Sequence, residues 1–145
     1  MAQITRLPFL PGTYRGTGIW HDRTKATGSY SVEHRYEVLP EGAVLQTTHR
    51  QFLNSDGSVQ YEEHSTVLFS PEEYPFLHAT VKSGGAEIGG PGYCYGNLVH
   101  YGLIISDTNA LENTYQVGTD VIRLNGSATN NGKPTVWEEH SHSGR

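Results

Sequence analysis

The sequence predicts an all-β protein, folded as a single antiparallel up-and-down barrel of about eight to ten strands that takes in residues 1–145. Apolar residues alternate with polar ones at period two, turn-forming clusters punctuate the chain at hairpin intervals, and the first such segment is spaced by glycines. Each points to strands joined by short connections rather than to helices. A meander of this kind is best closed into a barrel, because closure removes exposed strand edges.

The opening strand is Gly12-Thr-Tyr14-Arg-Gly16-Thr-Gly18-Ile-Trp20. Tyr14, Gly16, Gly18 and Trp20 share one face, so the glycines leave space between aromatic walls or permit a sharp bend. In the next strand Tyr30, Val32, His34, Tyr36 and Val38 form the core face, with Ser31, Glu33, Arg35 and Glu37 opposite. Strand-like runs then cover 43–53 and 59–69. In the second of these Val59, Tyr61, Glu63, Ser65, Val67 and Phe69 alternate inward and carry Glu63 with them. Further runs are 76–81, 93–105, 111–117, 121–129 and 135–142.

Turns are expected at Pro40–Gly42, Asn54–Gly57, Ser83–Gly85, Gly89–Gly92, Ser106–Asn109, Gly118–Asp120 and Asn130–Lys133. The segment from Ser83 to Gly92 reads as a mobile glycine-rich connection. Ser70–Tyr74 is the single candidate helical turn, with Ser70 as its cap and Pro71 at its first position. The first dozen residues, with prolines around Phe9-Leu10, are expected to cover one end of the barrel.

Composition narrows the function. The ten Lys and Arg are scattered and the net charge is −5, which argues against a nucleic-acid surface. No stretch approaches a membrane span, and prolines interrupt the N-terminal segment where a signal peptide needs an apolar run, so the expected location is cytoplasmic. The single cysteine, Cys94, excludes an internal disulfide and reads as a small buried hydrophobe. Neither a phosphate loop nor a G-x-S-x-G nucleophile elbow is present.

Eight histidines and nine tyrosines suit a polar-lined cavity. Parity places Tyr14, Trp20, Tyr61 and Trp137 inward, with Tyr93, Tyr95, Tyr115 and His78 or Arg50 joining them. The expected ligand site is therefore Tyr14, Gly16, Gly18, Trp20, Tyr61, His78, Tyr95, Tyr115 and Trp137. An inward Glu63 must be paired with His34, Arg50 or a tyrosine, or be hard to ionise. A Glu63, His34 and Tyr36 set would provide general acid and base groups. No metal site is expected: Glu138-Glu139-His140-Ser141-His142 has the tightest histidine spacing, but reads as a solvated, frayed tail.

The segment Gly12-Thr-Tyr14-Arg-Gly16-Thr-Gly18 resembles the G-x-W-x-G-x-G signature of the nitrobindin and fatty-acid-binding-protein-like branch of the calycins, with Tyr14 in place of tryptophan. Tyr30–Tyr36, Leu45–Gln51, Asn125–Ser127, Asn131–Lys133 and Trp137–Glu139 are similar to later parts of such barrels. The resemblance implies a lipocalin-like barrel holding a small molecule and, in nitrobindins, haem bound through a histidine near the C-terminus. His140 and His142 fall in that region. Their neighbours Glu138, Glu139, Ser141 and Ser143 depart from the family's apolar closing strand.

The leading expectation is a binding protein for an aromatic or oxygenated hydrophobic small molecule, without a cofactor and without nucleic-acid or membrane partners. A cofactor-independent isomerase, cyclase or lyase is the first alternative and a haem-binding barrel the second. A third reading has a filled core and a homodimer, suggested by the two-sided apolar run Leu98–Ile105.

Overall fold

The computed structural model describes residues 5–144. Ten strands follow in chain order: β1 Gly12–Asp22, β2 Thr27–Val38, β3 Val44–Leu53, β4 Val59–Pro71, β5 Phe76–Ser83, β6 Ala86–Tyr95, β7 Leu98–Ile104, β8 Asn109–Val117, β9 Val121–Asn130 and β10 Lys133–Ser143. Each pairs antiparallel with the strand before and after it, and β10 pairs with β1 to close an up-and-down barrel. No helix among the described residues is long and apolar enough to cross a membrane.

The alternation in β2 holds throughout: Tyr30, Val32, His34 and Tyr36 are buried and the residues between them are not. In β4 it holds from Tyr61 onward. A bulge makes Leu53 pair with Val59 while Phe52 pairs with Tyr61, so Val59, expected inward, is exposed.

Four local readings are corrected. Ala86–Gly92, read as mobile and containing a turn, is the body of β6. Its glycines sit in regular pairing because neighbours occupy the space a Cβ would need, as the Gly102 carbonyl does at Gly90 and the His100 carbonyl at Gly92. The run 93–105 is split between β6 and β7 at Gly96, whose φ of +55° a side chain would resist. Ser70 and Pro71 extend β4 instead of starting a helical turn, and the one short 3-10 turn among the described residues is Pro40–Gly42. The 138–142 segment is not frayed, since β10 pairs on both sides along its length.

The N-terminal segment closes one end. Phe9 is buried and stacks on Tyr36 at 4.7 Å, with Phe69 at 5.0 Å and Tyr115 edge-on at 5.6 Å. Leu7 is buried beside it, and the Arg6 guanidinium donates to the Phe76 and Glu72 carbonyls. This plug, with Tyr14, Leu77, Val99 and Ile122, forms the apolar core. Cys94 is buried near the same end, and burial pushes its thiol up from the ordinary value. The opposite end, at the β1–β2, β3–β4, β5–β6, β7–β8 and β9–β10 connections, stays open.

Candidate functional site: a cavity at the open end

Ten strands enclose more room than these side chains fill, and the surplus is a cavity of about 460 Å³ reached from the open end. Its walls are aromatic. Trp20 of β1 and Trp137 of β10 are register partners on one side. Next to them, Tyr30, Phe52 and Tyr61 carry the wall on across β2, β3 and β4, with ring centroids 5.0 Å apart for Tyr30–Phe52 and 4.6 Å for the stacked Phe52–Tyr61 pair. Tyr61 is 53% exposed and stands at the mouth.

Both tryptophans lie over a cross-strand glycine. Trp20 is opposite Gly28, and Trp137 is opposite Gly126. A Cβ at Gly28 would strike the Trp20 indole, and one at Gly126 would strike the Trp137 indole and Asn113 Oδ1. The glycines are seats for the rings. Gly126→Val should therefore turn Trp137 out of its seat, break its Nε1 donation to Asn113 Oδ1 (3.1 Å), and shift the tryptophan emission of the folded protein.

Polar groups line the deeper part. Gln46 Nε2 donates to Tyr36 Oη at 3.0 Å and to Tyr115 Oη at 3.3 Å, and Asn113 Nδ2 donates to Tyr101 Oη at 3.0 Å. Burial pushes the Tyr36, Tyr101 and Tyr115 hydroxyls upward from their ordinary value, so all three stay protonated.

The charged centre is built on Glu139, which is 2% exposed. His34 Nε2 lies 2.5 Å from Glu139 Oε2 and, because a carboxylate only accepts, carries the hydrogen. His34 Nδ1 is 2.8 Å from Thr48 Oγ1. The Arg50 Nε donates to Glu139 Oε1 at 3.1 Å, the Tyr30 hydroxyl donates to the same oxygen at 3.2 Å, and Arg50 Nη1 reaches Glu63 Oε1 at 3.0 Å. Burial alone would raise the Glu139 pKa, but Arg50 and His34 more than offset it and hold the carboxyl at about 2. Burial, then the Glu139 charge, raises the Tyr30 hydroxyl, which stays a donor.

The residues expected at the site divide. Trp20, Tyr61, Tyr115 and Trp137 line the cavity, and so does Glu63. Tyr14 faces inward but lies in the closed end, where its hydroxyl donates to the Thr119 carbonyl at 3.2 Å. Gly16 and Gly18 leave no open space: the β10 backbone at His140 crowds the first and the Tyr30 ring covers the second. His78 and Tyr95, expected inward, are exposed on the outer face, because Leu77 and Ala79 take the inner positions of β5 and Cys94 that of β6. Glu63, His34 and Tyr36 share no direct hydrogen bond: Glu63 is linked to His34 through Arg50 and Glu139, and Tyr36, its ring 6.0 Å from that of His34, accepts from Gln46.

Glu139 and Arg50 are the centre that sequence reasoning missed as a pair. Their inward parity was legible, but their pairing joins β3 to β10 across the barrel, which spacing along the chain does not encode. Haem is not matched by these residues. His140 and His142 lie on the outer face, no histidine among the described residues lines the cavity, and both ring nitrogens of His34 are already engaged.

Fold and site together define a closed ten-stranded antiparallel barrel with an aromatic-walled cavity open at one end. Among solved structures this chain is similar to the crystal structure of Rv2717c from M. tuberculosis, with a TM-score of 0.70 and 14% sequence identity over 94% of this chain and 93% of that one. At that identity the likeness shows a shared barrel fold. No family model matches the chain. A search of curated proteins likewise finds no match.

Proposed function

We propose that the protein binds a small, partly aromatic and oxygenated molecule in the barrel cavity, in the manner of lipocalin-like and nitrobindin-like carriers. The observation that carries this reading is the unfilled cavity of about 460 Å³, within the range usual for small-molecule sites, walled by rings and floored by hydrogen-bonding groups. Offset or edge-on stacking on Trp20, Trp137, Phe52 and Tyr61 would hold a planar ligand, while Gln46, Asn113 and the hydroxyls beside them would read its oxygens.

The charge balance selects among ligands. Arg50 already faces both Glu139 and Glu63. Among the described residues lining the cavity no other cation awaits a fatty-acid carboxylate, so a neutral or cationic ligand is favoured over an anionic one. An acid–base enzyme has less support, because of Glu63, His34 and Tyr36 only Glu63 lines the cavity.

Both tryptophans of the chain line the cavity, so intrinsic emission reports on it directly. Titration with N-phenyl-1-naphthylamine, a neutral aromatic probe, should quench that emission saturably at micromolar concentration. Decanoate should bind at least about tenfold more weakly, a difference of about 1.4 kcal/mol. Ser65→Phe, which places a ring in the cavity, should abolish the signal. Unsaturable quenching, or quenching that Ser65→Phe leaves intact, would refute the proposal.

A further inference from the structure

Away from the cavity, the outer face of β3 and β4 brings together three side chains that the sequence separates. His49 and His64 are register partners, and their rings stack with centroids 4.3 Å apart and planes within 6°. Glu62 shares the outer face with His64, two residues along β4. One ligand atom from each of the three lies within 4.8 Å of the others. Among the described residues no other trio of His, Cys, Asp or Glu side chains brings its ligand atoms this close.

We propose that His49, Glu62 and His64 bind a divalent transition-metal ion of the zinc type. Two imidazoles and a carboxylate are a donor set suited to zinc, nickel or copper, whereas calcium and magnesium call for oxygen ligands throughout. His49 Nε2 is shielded from solvent, has no hydrogen-bond partner, and lies 3.5 Å from Glu62 Oε1. A shielded ring nitrogen whose nearest polar atom is too far for a good hydrogen bond is under-satisfied, and in the tautomer with the hydrogen on Nδ1 its lone pair would serve a metal ion. With zinc–nitrogen bonds near 2.0–2.1 Å, tetrahedral donors lie about 3.3 Å apart, so joint ligation requires the two rings to turn out of their parallel stack until their nitrogens converge on the ion.

Surrounding groups support the site. Gln51 Nε2 donates to Glu62 Oε1 at 2.8 Å and steadies the carboxylate, as outer hydrogen bonds do for metal ligands. Glu33, the β2 register partner of His49, is occupied by Arg15 at 2.8 Å, and Lys82 near the β4–β5 edge is paired with Glu87 at 3.9 Å. His49 and His64 border a surface groove shared with Thr47, Thr66 and the Gly84–Gly85 turn, which would leave room for a water on the ion. The competing outer pair, His140 and His142, sits opposite Arg123 and Arg15, and no third ligand atom converges with theirs among the described residues.

Equilibrium dialysis of the full chain against zinc, with bound metal counted per chain, tests the assignment. The expected result is one zinc per chain at micromolar free metal, weakened at least about tenfold by His64→Gln and by Glu62→Gln and unchanged by His142→Gln. All three substitutions are on exposed outer positions and should leave the melting temperature of the zinc-free protein unaltered. Should a variant fail to fold, imidazole nitrogen resonances of the unsubstituted protein decide: zinc must move those of His49 and His64. No bound zinc, zinc retained in full by His64→Gln, zinc lost in His142→Gln, or shifts confined to other histidines would each overturn the proposal.

Discussion

Glu139→Gln is expected to lower the unfolding free energy by about 3–5 kcal/mol at neutral pH, because removing one member of a buried ion pair strands the others. Glutamine keeps the shape and one acceptor, but leaves Arg50 with Glu63 alone and His34 facing an amide. Tyr30 loses the charged acceptor at 3.2 Å. The groups facing Glu139 are thus Arg50 and Tyr30 on its oxygen Oε1 and His34 on Oε2, with Glu63 beyond Arg50.

The same carboxylate gives a pH signature. Its folded pKa, about 2, lies below the ordinary 4.5, so its contribution is complete above pH 4.5 and lost as pH falls through that window toward 2. The contribution is on the order of 3 kcal/mol. Urea denaturation at a series of pH values should show wild-type stability falling across that window and a flatter curve for Glu139→Gln. Parallel curves would mean that other carboxylates carry the acid sensitivity.

The second large effect is at the plug. Phe9→Ala should cost about 3–5 kcal/mol, because it deletes a fully buried ring and leaves a void that the rigid barrel cannot collapse to fill. Three aromatic contacts go with it, to Tyr36, Phe69 and Tyr115. The melting temperature should drop by roughly 10 °C, while Leu10→Ala, at a position 40% exposed, should shift it little. Equal effects of the two substitutions would mean that the N-terminal segment does not close the barrel. Tyr115 also floors the cavity, so Phe9→Ala should loosen probe binding at the far end of the same ring.

Much of the fold could be read from residue order. Alternation fixes faces wherever one side of a strand must avoid water, and in β2 it located every buried position from Tyr30 to Tyr36. Turn chemistry was legible where glycine or asparagine must take positive φ, as at Asn131 and Gly132. It misled at Gly89–Gly92, where the glycines answer to crowding from neighbouring strands instead of to a bend. The bulge beside Val59 was invisible for a related reason: register belongs to a pair of strands and not to one.

The glycine-spaced opening strand shows where the boundary lies. Its residues alone set the strand and the inward parity of Tyr14 and Trp20, because side-chain direction follows from the period of an extended chain. Tertiary structure decided that Gly16 and Gly18 are filled by β10 and Tyr30, and that the free space lies higher, beside the tryptophans and the Tyr30–Phe52–Tyr61 rings. It alone brought Glu139 to Arg50 and His49 to His64. Those meetings depend on closure and register, which only the complete set of strand pairings can supply.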